Sequence, residues 1–187
     1  NNLPFYGLCI LNIDDINTKS IINKISRPIK TFGVDEQADY RAKSICVDTI
    51  PAKYSYEENG DFHEIKLNMP GKHNIMNSLA ALAIARELKV PIKVIQEALA
   101  NFPGISRRFE IIGEFKINKN TFTWVDDYGH HPTEMKEVLE TIKKVWINEK
   151  LVMVFQPHRY SRTAEHFNQF IDILKNVDHL VLMDIYA

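Results

Sequence analysis

Phe122-Thr123-Trp124-Val125-Asp126-Asp127-Tyr128-Gly129-His130-His131-Pro132-Thr133-Glu134 is the stretch whose reading decides the fold. Phe122 and Trp124 alternate with polar residues, the period of a strand. Beyond Glu134, Met135, Val138, Leu139 and Ile142 recur at the spacing of a helix with one buried face. Between the two lie two acids, a phenol, a glycine and two imidazoles, and Pro132 suits a first helical turn. Strand, polar loop and helix in that order predict an α/β protein that meets its ligands at the carboxyl ends of strands.

The arrangement recurs downstream. Leu151 to Phe155 is an uninterrupted apolar run of the kind buried in a parallel sheet. It empties into Gln156-Pro157-His158-Arg159-Tyr160-Ser161-Arg162-Thr163. A helix with Phe167, Phe170, Ile171 and Leu174 on its inner face is expected next, then a strand from Leu180 to Ile185. Right-handed crossovers would put the loops after Val125 and Phe155 on one sheet edge. His130, His131, His158, Arg159 and Arg162 would gather there.

Upstream, Leu8 to Ile13 reads as a strand leading into Asp14-Asp15, a cap for a helix carrying Ile21, Ile22 and Ile25. Residues 29–32, 44–50 and 62–69 are further strand candidates. Ile65, Leu67 and Met69 alternate, so one side of the last should face water. Met69-Pro70-Gly71-Lys72-His73-Asn74-Ile75-Met76-Asn77 then opens an alanine-rich helix. Asn74 either caps that helix beside a solvated Asn77, or the two carboxamides share a face and read a base edge. Pro91 starts a second helix with Ile92, Ile95 and Leu99 on one face. Arg107-Arg108 is either surface charge or a bidentate phosphate clamp. A domain boundary is expected near residue 110, where a hairpin pattern, Phe115/Ile117 against Phe122/Trp124, begins.

Lys+Arg 23 against Asp+Glu 24 gives a formal net charge of -1, which argues against a nucleic-acid partner. Two cysteines, Cys9 and Cys46, suggest no disulfide framework and hence a reducing cytoplasm. No apolar run of about 18 residues and no signal-peptide pattern occur, so no membrane segment is expected. The opening Asn1-Asn2-Leu3 without an initiator Met, and a closing hydrophobic run with no helix to cover it, read as a piece of a longer chain.

Residue types alone leave several readings of the rim open. Asp126, Asp127, His130, His131 and His158 fit a metal-dependent phosphoesterase. Alternatively, Arg159 and Arg162 grip phosphate or carboxylate while the acids hold sugar hydroxyls and the histidines orient substrate. A non-catalytic nucleotide-binding module is a further reading, because no Gly-x-x-x-x-Gly-Lys-Ser/Thr loop is present; the position five before Gly71 is Lys66.

Four motifs occur in order: Gly71 to Ala81, Arg107-Arg108-Phe109, Asp126 to Glu134, and Phe155 to Thr163. Together they resemble the Mur ligases of peptidoglycan synthesis, the two later loops resembling the alanine-adding member. The resemblance implies an α/β fold in two parts. Residues 1–110 would be the remainder of a central P-loop-type ATPase domain without its P-loop. Residues 111–187 would be the first part of a Rossmann-like carboxy-terminal domain.

It also implies a cytoplasmic bacterial enzyme, an ATP-dependent amide ligase with magnesium. Such an enzyme joins L-alanine to the carboxylate of UDP-N-acetylmuramate through an acyl phosphate. By the same carry-over, His73, Asn74, Asn77 and Arg108 would meet ATP, with Asp126 and Asp127 at its ribose. Tyr128, His130, Arg159 and Arg162 would face the substrate and reacting groups, His130, Arg159 and Arg162 being catalytic. His131 and His158 would orient or support. The magnesium ligands and the UDP-sugar domain would lie upstream of Asn1, so these 187 residues alone should be inactive.

Overall fold

A computed structural model describes residues 3–35 and 37–187. The chain divides into two compact units, Asn1–Pro103 and Gly104–Ala187.

The first unit is built on a five-stranded sheet in sequential order. Its strands are β1 (Cys9–Asn12), β2 (Ile29–Gly33), β3 (Tyr40–Cys46), β4 (Ala52–Glu58) and β5 (Asp61–Leu67). The first three are parallel and the last two add as antiparallel hairpins. Asp15 caps α1 (Ile16–Ile21) by accepting the Thr18 N–H at 2.7 Å, as its position predicts. Asp14 does something else. Its carboxylate accepts the N–H groups of Val34 and Asp35 at 2.9 and 3.0 Å, tying the end of β1 to the end of β2. Ile25 lies beyond the helix, which gives way to a short 3-10 turn at Ile22–Lys24.

The strand expected at 44–50 is displaced to Tyr40–Cys46, and β4 is a strand the sequence reading did not place. The period-two signal is there in Ala52, Tyr54 and Tyr56, all buried. It is carried by an alanine and two phenols instead of aliphatic side chains, which weakens it as a pattern. In β5, Ile65 and Leu67 are buried while Glu64 and Lys66 are exposed, as the alternation requires.

Helix α2 (Lys72–Glu87) lies on β1 to β4 and sends Ile75, Leu79 and Leu82 into the core against Tyr54, Ile65 and Leu67. Arg86 fastens its far end: Nε and Nη2 each donate to Glu58 at 2.8 Å, a bidentate pair. Helix α3 (Ile92–Ala100) packs on β5 through Ile95, and its Gln96 donates to the Glu64 carbonyl at 2.8 Å.

The second unit opens with an antiparallel hairpin, β6 (Glu110–Ile117) and β7 (Asn120–Asp126), turning at Asn118. Helix α4 (Pro132–Val145) follows, then β8 (Val152–Phe155), α5 (Tyr160–Glu165), α6 (Phe167–Leu174) and β9 (His179–Leu182). Met135 of α4, Phe155 of β8 and Phe170 of α6 form its small core.

Three expectations change here. Among the described residues β8 pairs only with β9, in parallel, and β7 only with β6, so the two strand–loop–helix units lie in separate sheets. The run Leu151–Phe155 is covered on one side only: Phe155 is buried, whereas Val152 and Val154 are 60% and 64% exposed. The helix after it breaks at His166, which rotates the buried face to Phe170, Ile173 and Leu174 and leaves Phe167 and Ile171 exposed.

Candidate functional site

The loop after β7 is built by short hydrogen bonds to the segment preceding β6. Asp127 Oδ2 accepts the Phe109 N–H at 2.7 Å and Oδ1 accepts the Gly129 N–H at 2.6 Å. The Tyr128 N–H donates to the Arg107 carbonyl at 2.7 Å. Arg107 and Phe109 both hold positive φ, 58° and 48°, a conformation non-glycine residues keep only when surrounding bonds fix it. Here the Tyr128-to-Arg107 and Phe109-to-Asp127 bonds do so. The Arg107 guanidinium in turn lies 4.8 Å from the centre of the Tyr128 ring, with Nε 3.4 Å from Asp126.

The same loop ends in a helix cap. His131 Nδ1 accepts the Thr133 N–H, and Glu134 accepts the N–H groups of His130 and His131 at 3.1 and 3.2 Å, a reciprocal capping box with Pro132 in the first turn. Burial acts to raise the Glu134 pKa. The backbone N–H groups of His130 and His131, and the charges of His130 and Arg108, outweigh it and hold the carboxyl below its usual 4.5.

The loop after β8 is anchored to the end of the chain. The Arg159 N–H donates to the Tyr186 carbonyl at 2.7 Å, and the Tyr186 N–H to the Pro157 carbonyl at 2.8 Å. His158 stacks on the Tyr186 ring at 5.4 Å. Arg162, on α5, donates to the His158 carbonyl at 3.4 Å. Loss of hydration pushes the His158 pKa below its usual 6.5, and the charges of Arg159, Arg162 and His130 push it the same way.

The two loops meet although their strands do not pair. The rings of His130 and His158 are 6.2 Å apart, and Tyr128 stands edge-on to His130 at 5.1 Å. A cavity of about 470 Å³ opens between them. Arg107, Asp126, Tyr128, His130, Gln156 and His158 form its polar side, and Met135, Leu139 and Phe155 are among its apolar residues. Such a mix of a few polar groups on an apolar base suits a small ligand.

Of the residues expected at a site, Asp126, Asp127, Tyr128, His130 and His158 therefore come together. Arg108, Arg159 and Arg162 belong to the same unit without lining the cavity. His131 turns to another partner, the ring of His166 at 4.7 Å. With Asp127 engaged by backbone N–H groups and His131 by the helix cap, the donors are not arranged as a metal-binding cluster; among the described residues no group of three or more such side chains is.

His73, Asn74 and Asn77 lie in the first turns of α2, in the other unit. Asn74 is not the cap, a place held by Gly71. It is buried, and its amide donates to the Pro70 carbonyl at 2.7 Å. Asn77 is exposed and His73 half-buried.

Glu134, Gln156 and Tyr186 belong to the site or its frame and were given no role by the sequence reading, whereas Arg107, read as surface charge or a phosphate clamp, lines the cavity against Asp126 and Tyr128. Glu134 was legible as the third helical residue after His131, the capping-box position. The others reach the cavity only through tertiary contacts.

A family model described as the Mur ligase middle domain matches residues 1–85, and one described as Mur ligase, glutamate ligase domain, matches residues 107–185. The chain belongs to the Mur ligase family. Among curated relatives of this Mur ligase is the UDP-N-acetylmuramate–L-alanine ligase of Hydrogenovibrio crunogenus, 46% identical over 188 residues, which span 100% of this chain and 41% of that protein. The enzyme of that name from Vesicomyosocius okutanii is 46% identical over 99% of this chain and 40% of its own. The chain thus spans about two fifths of the length of these relatives. Among solved structures, the UDP-N-acetylmuramate-alanine ligase of Thermotoga maritima superposes with a TM-score of 0.71 at 34% identity, over 84% of this chain and 34% of that one. The murein peptide ligase of Psychrobacter arcticus gives 0.68 at 27%, over 96% and 38%.

Proposed function

We propose that this chain is part of an ATP-dependent ligase that joins L-alanine to the carboxylate of UDP-N-acetylmuramate in the bacterial cytoplasm. The observation that carries the reading is the meeting of the Asp126–His131 and Gln156–Arg162 loops at one cavity, in a Mur ligase whose relatives at 46% identity bear that name. The 1–103 unit would be the later part of the central ATP-binding domain. The unit from Gly104 would be the first part of the carboxy-terminal domain.

A carboxylate is a poor acyl donor, so the nucleotide's γ-phosphoryl group must first convert it to an acyl phosphate. The amine of L-alanine then attacks the acyl carbon, and the tetrahedral adduct collapses to the amide with loss of phosphate. Charge accumulates on phosphoryl oxygens, which favours guanidinium groups. Asn74, Asn77 and His73 are assigned to the adenine pocket, Asp126 and Asp127 to the ribose, and Arg108 to the phosphates. Each Asp127 oxygen already accepts one backbone N–H and retains a lone pair for a hydroxyl. Tyr128, His130, Arg159 and Arg162 are assigned to the amino acid and the reacting carboxylate. Magnesium would stabilise the transferring charge, held by groups outside these 187 residues.

The test uses the full-length protein. Phosphate release from ATP should require UDP-N-acetylmuramate and L-alanine together, and Arg162→Ala should lower turnover at least about tenfold. Undiminished turnover in that variant removes Arg162 from the reaction. Phosphate release independent of either substrate overturns the ligase reading.

A further inference from the structure

Glu134 divides the two oxygens of one carboxylate between two tasks. Oε2 accepts the N–H groups of His130 and His131, completing the cap of α4. Oε1 lies 3.4 Å from Arg108 Nη1. A single side chain in the first turn of α4 thereby joins the histidine loop to the segment that precedes β6.

The setting of Arg108 gives that contact its importance. On one side Arg107 is held by Asp126 and the Tyr128 ring; on the other, the Phe109 N–H is bound by Asp127. The Arg108 backbone is consequently fixed between two residues of positive φ. Its long side chain, exposed and not lining the cavity, is what local structure leaves undetermined. A pair this exposed adds little to stability. It does restrict the rotamers of a group with several rotatable bonds, and a guanidinium that uses one N–H on a carboxylate retains others for an anion.

We infer that Glu134 is a positioning residue, capping α4 through one oxygen while aiming the Arg108 guanidinium through the other. Arg108 and His130 are then set by the same side chain. The inference rests on the assignment of Arg108 to the nucleotide phosphates made above.

Glu134→Gln separates the two tasks in the full-length protein. Its amide oxygen can still accept the His130 and His131 N–H groups, since glutamine serves in capping boxes, but its NH2 group now faces Arg108 and cannot accept from it. The expected result is a rise of about tenfold in KM for ATP, with KM for the other two substrates unchanged and the unfolding midpoint within about 2 °C of the parent. Glu134→Ala, which loses both oxygens, should lower the midpoint as well.

Arg108→Ala combined with Glu134→Gln should be no worse for ATP than Arg108→Ala alone, because the two changes remove one interaction. Parent-like ATP kinetics in Glu134→Gln, or additive losses in the double variant, overturn the inference. If Arg108→Ala leaves KM for ATP unchanged, the phosphate assignment itself fails. The coupling is then judged from the side-chain Nε–H NMR signal of Arg108, which Glu134→Gln must shift if the pair exists.

Discussion

Asp127 and Phe109, eighteen residues apart in sequence, are joined by a 2.7 Å hydrogen bond from the Phe109 N–H to Oδ2 of the carboxylate. Phe109 is 3% exposed, so its amide has little water to fall back on. Asp127→Ala should destabilise the unit from Gly104 by about 2–4 kcal/mol, since two bonds to a charged acceptor are lost. Urea denaturation checks this, and parent-like stability would refute the structural role. Asp126→Ala, which loses only a half-exposed pair with Arg107, should cost less than about 1 kcal/mol.

Gly129 is required by the same carboxylate. A Cβ there would stand 2.7 Å from Asp127 Oδ1, the oxygen that accepts the Gly129 N–H. Gly129→Ala should therefore cost about 1–3 kcal/mol by displacing Asp127. In the Asp127→Ala background the same change should be nearly neutral, a coupling that a double-mutant cycle would read.

The two asparagines of α2 should separate cleanly. Asn74→Ala removes the donor to the Pro70 carbonyl and should lower stability by about 1–2 kcal/mol. Asn77 is exposed, so Asn77→Ala should stay within about 0.5 kcal/mol. Any loss of ATP affinity in a folded Asn77→Ala protein is then a direct effect. Unchanged affinity would remove it from the adenine pocket.

His158 should titrate below the usual 6.5. The folded state binds its proton less tightly than the unfolded state, so stability rises with pH across this window. The contribution of this group is complete above about 6.5 and is lost as pH falls through the depressed folded value. NMR titration measures the midpoint directly, and Arg162→Ala should raise it by removing a nearby positive charge. A midpoint at or above 6.5 in the parent would contradict this geometry.

Strand β8 should show an alternating amide-exchange pattern. The His179 and Met183 N–H groups donate to the Leu151 and Phe155 carbonyls, so residues 151, 153 and 155 face β9. Met153 and Phe155 should be protected, while Val152 and Val154, whose N–H groups point to the other edge, should exchange quickly in this chain. Slow exchange at Val154 would mean that another strand occupies that edge.

Much of this molecule was legible in the residues, and for local reasons. Alternation in Ile65 and Leu67, the Asp15 cap, Pro132 in the first turn of α4 and the hairpin turning at Asn118 are each decided by neighbours within a few positions. The order of polar loops after apolar strands likewise pointed to Asp126, Asp127, Tyr128, His130 and His158, which line the cavity, but also to His131, Arg159 and Arg162, which do not. Strand β4 was not legible, because tyrosines and an alanine carry its buried side. Nor was the break at His166, which moved the inner face of the helix by part of a turn.

By itself, then, the sequence determined the α/β class and the identity of the two loops. Only the tertiary structure decided the roles of individual side chains within them. Asp126 and Asp127 are adjacent, chemically identical and both at the cavity, yet one pairs with the Arg107 guanidinium and the other is bound by N–H groups from residues 109 and 129. Arg107 and Arg108 likewise take different partners, Asp126 with Tyr128 and Glu134. Residue type fixes what a group can bond to, whereas which bond it makes depends on what distant segments bring within about 3 Å of it.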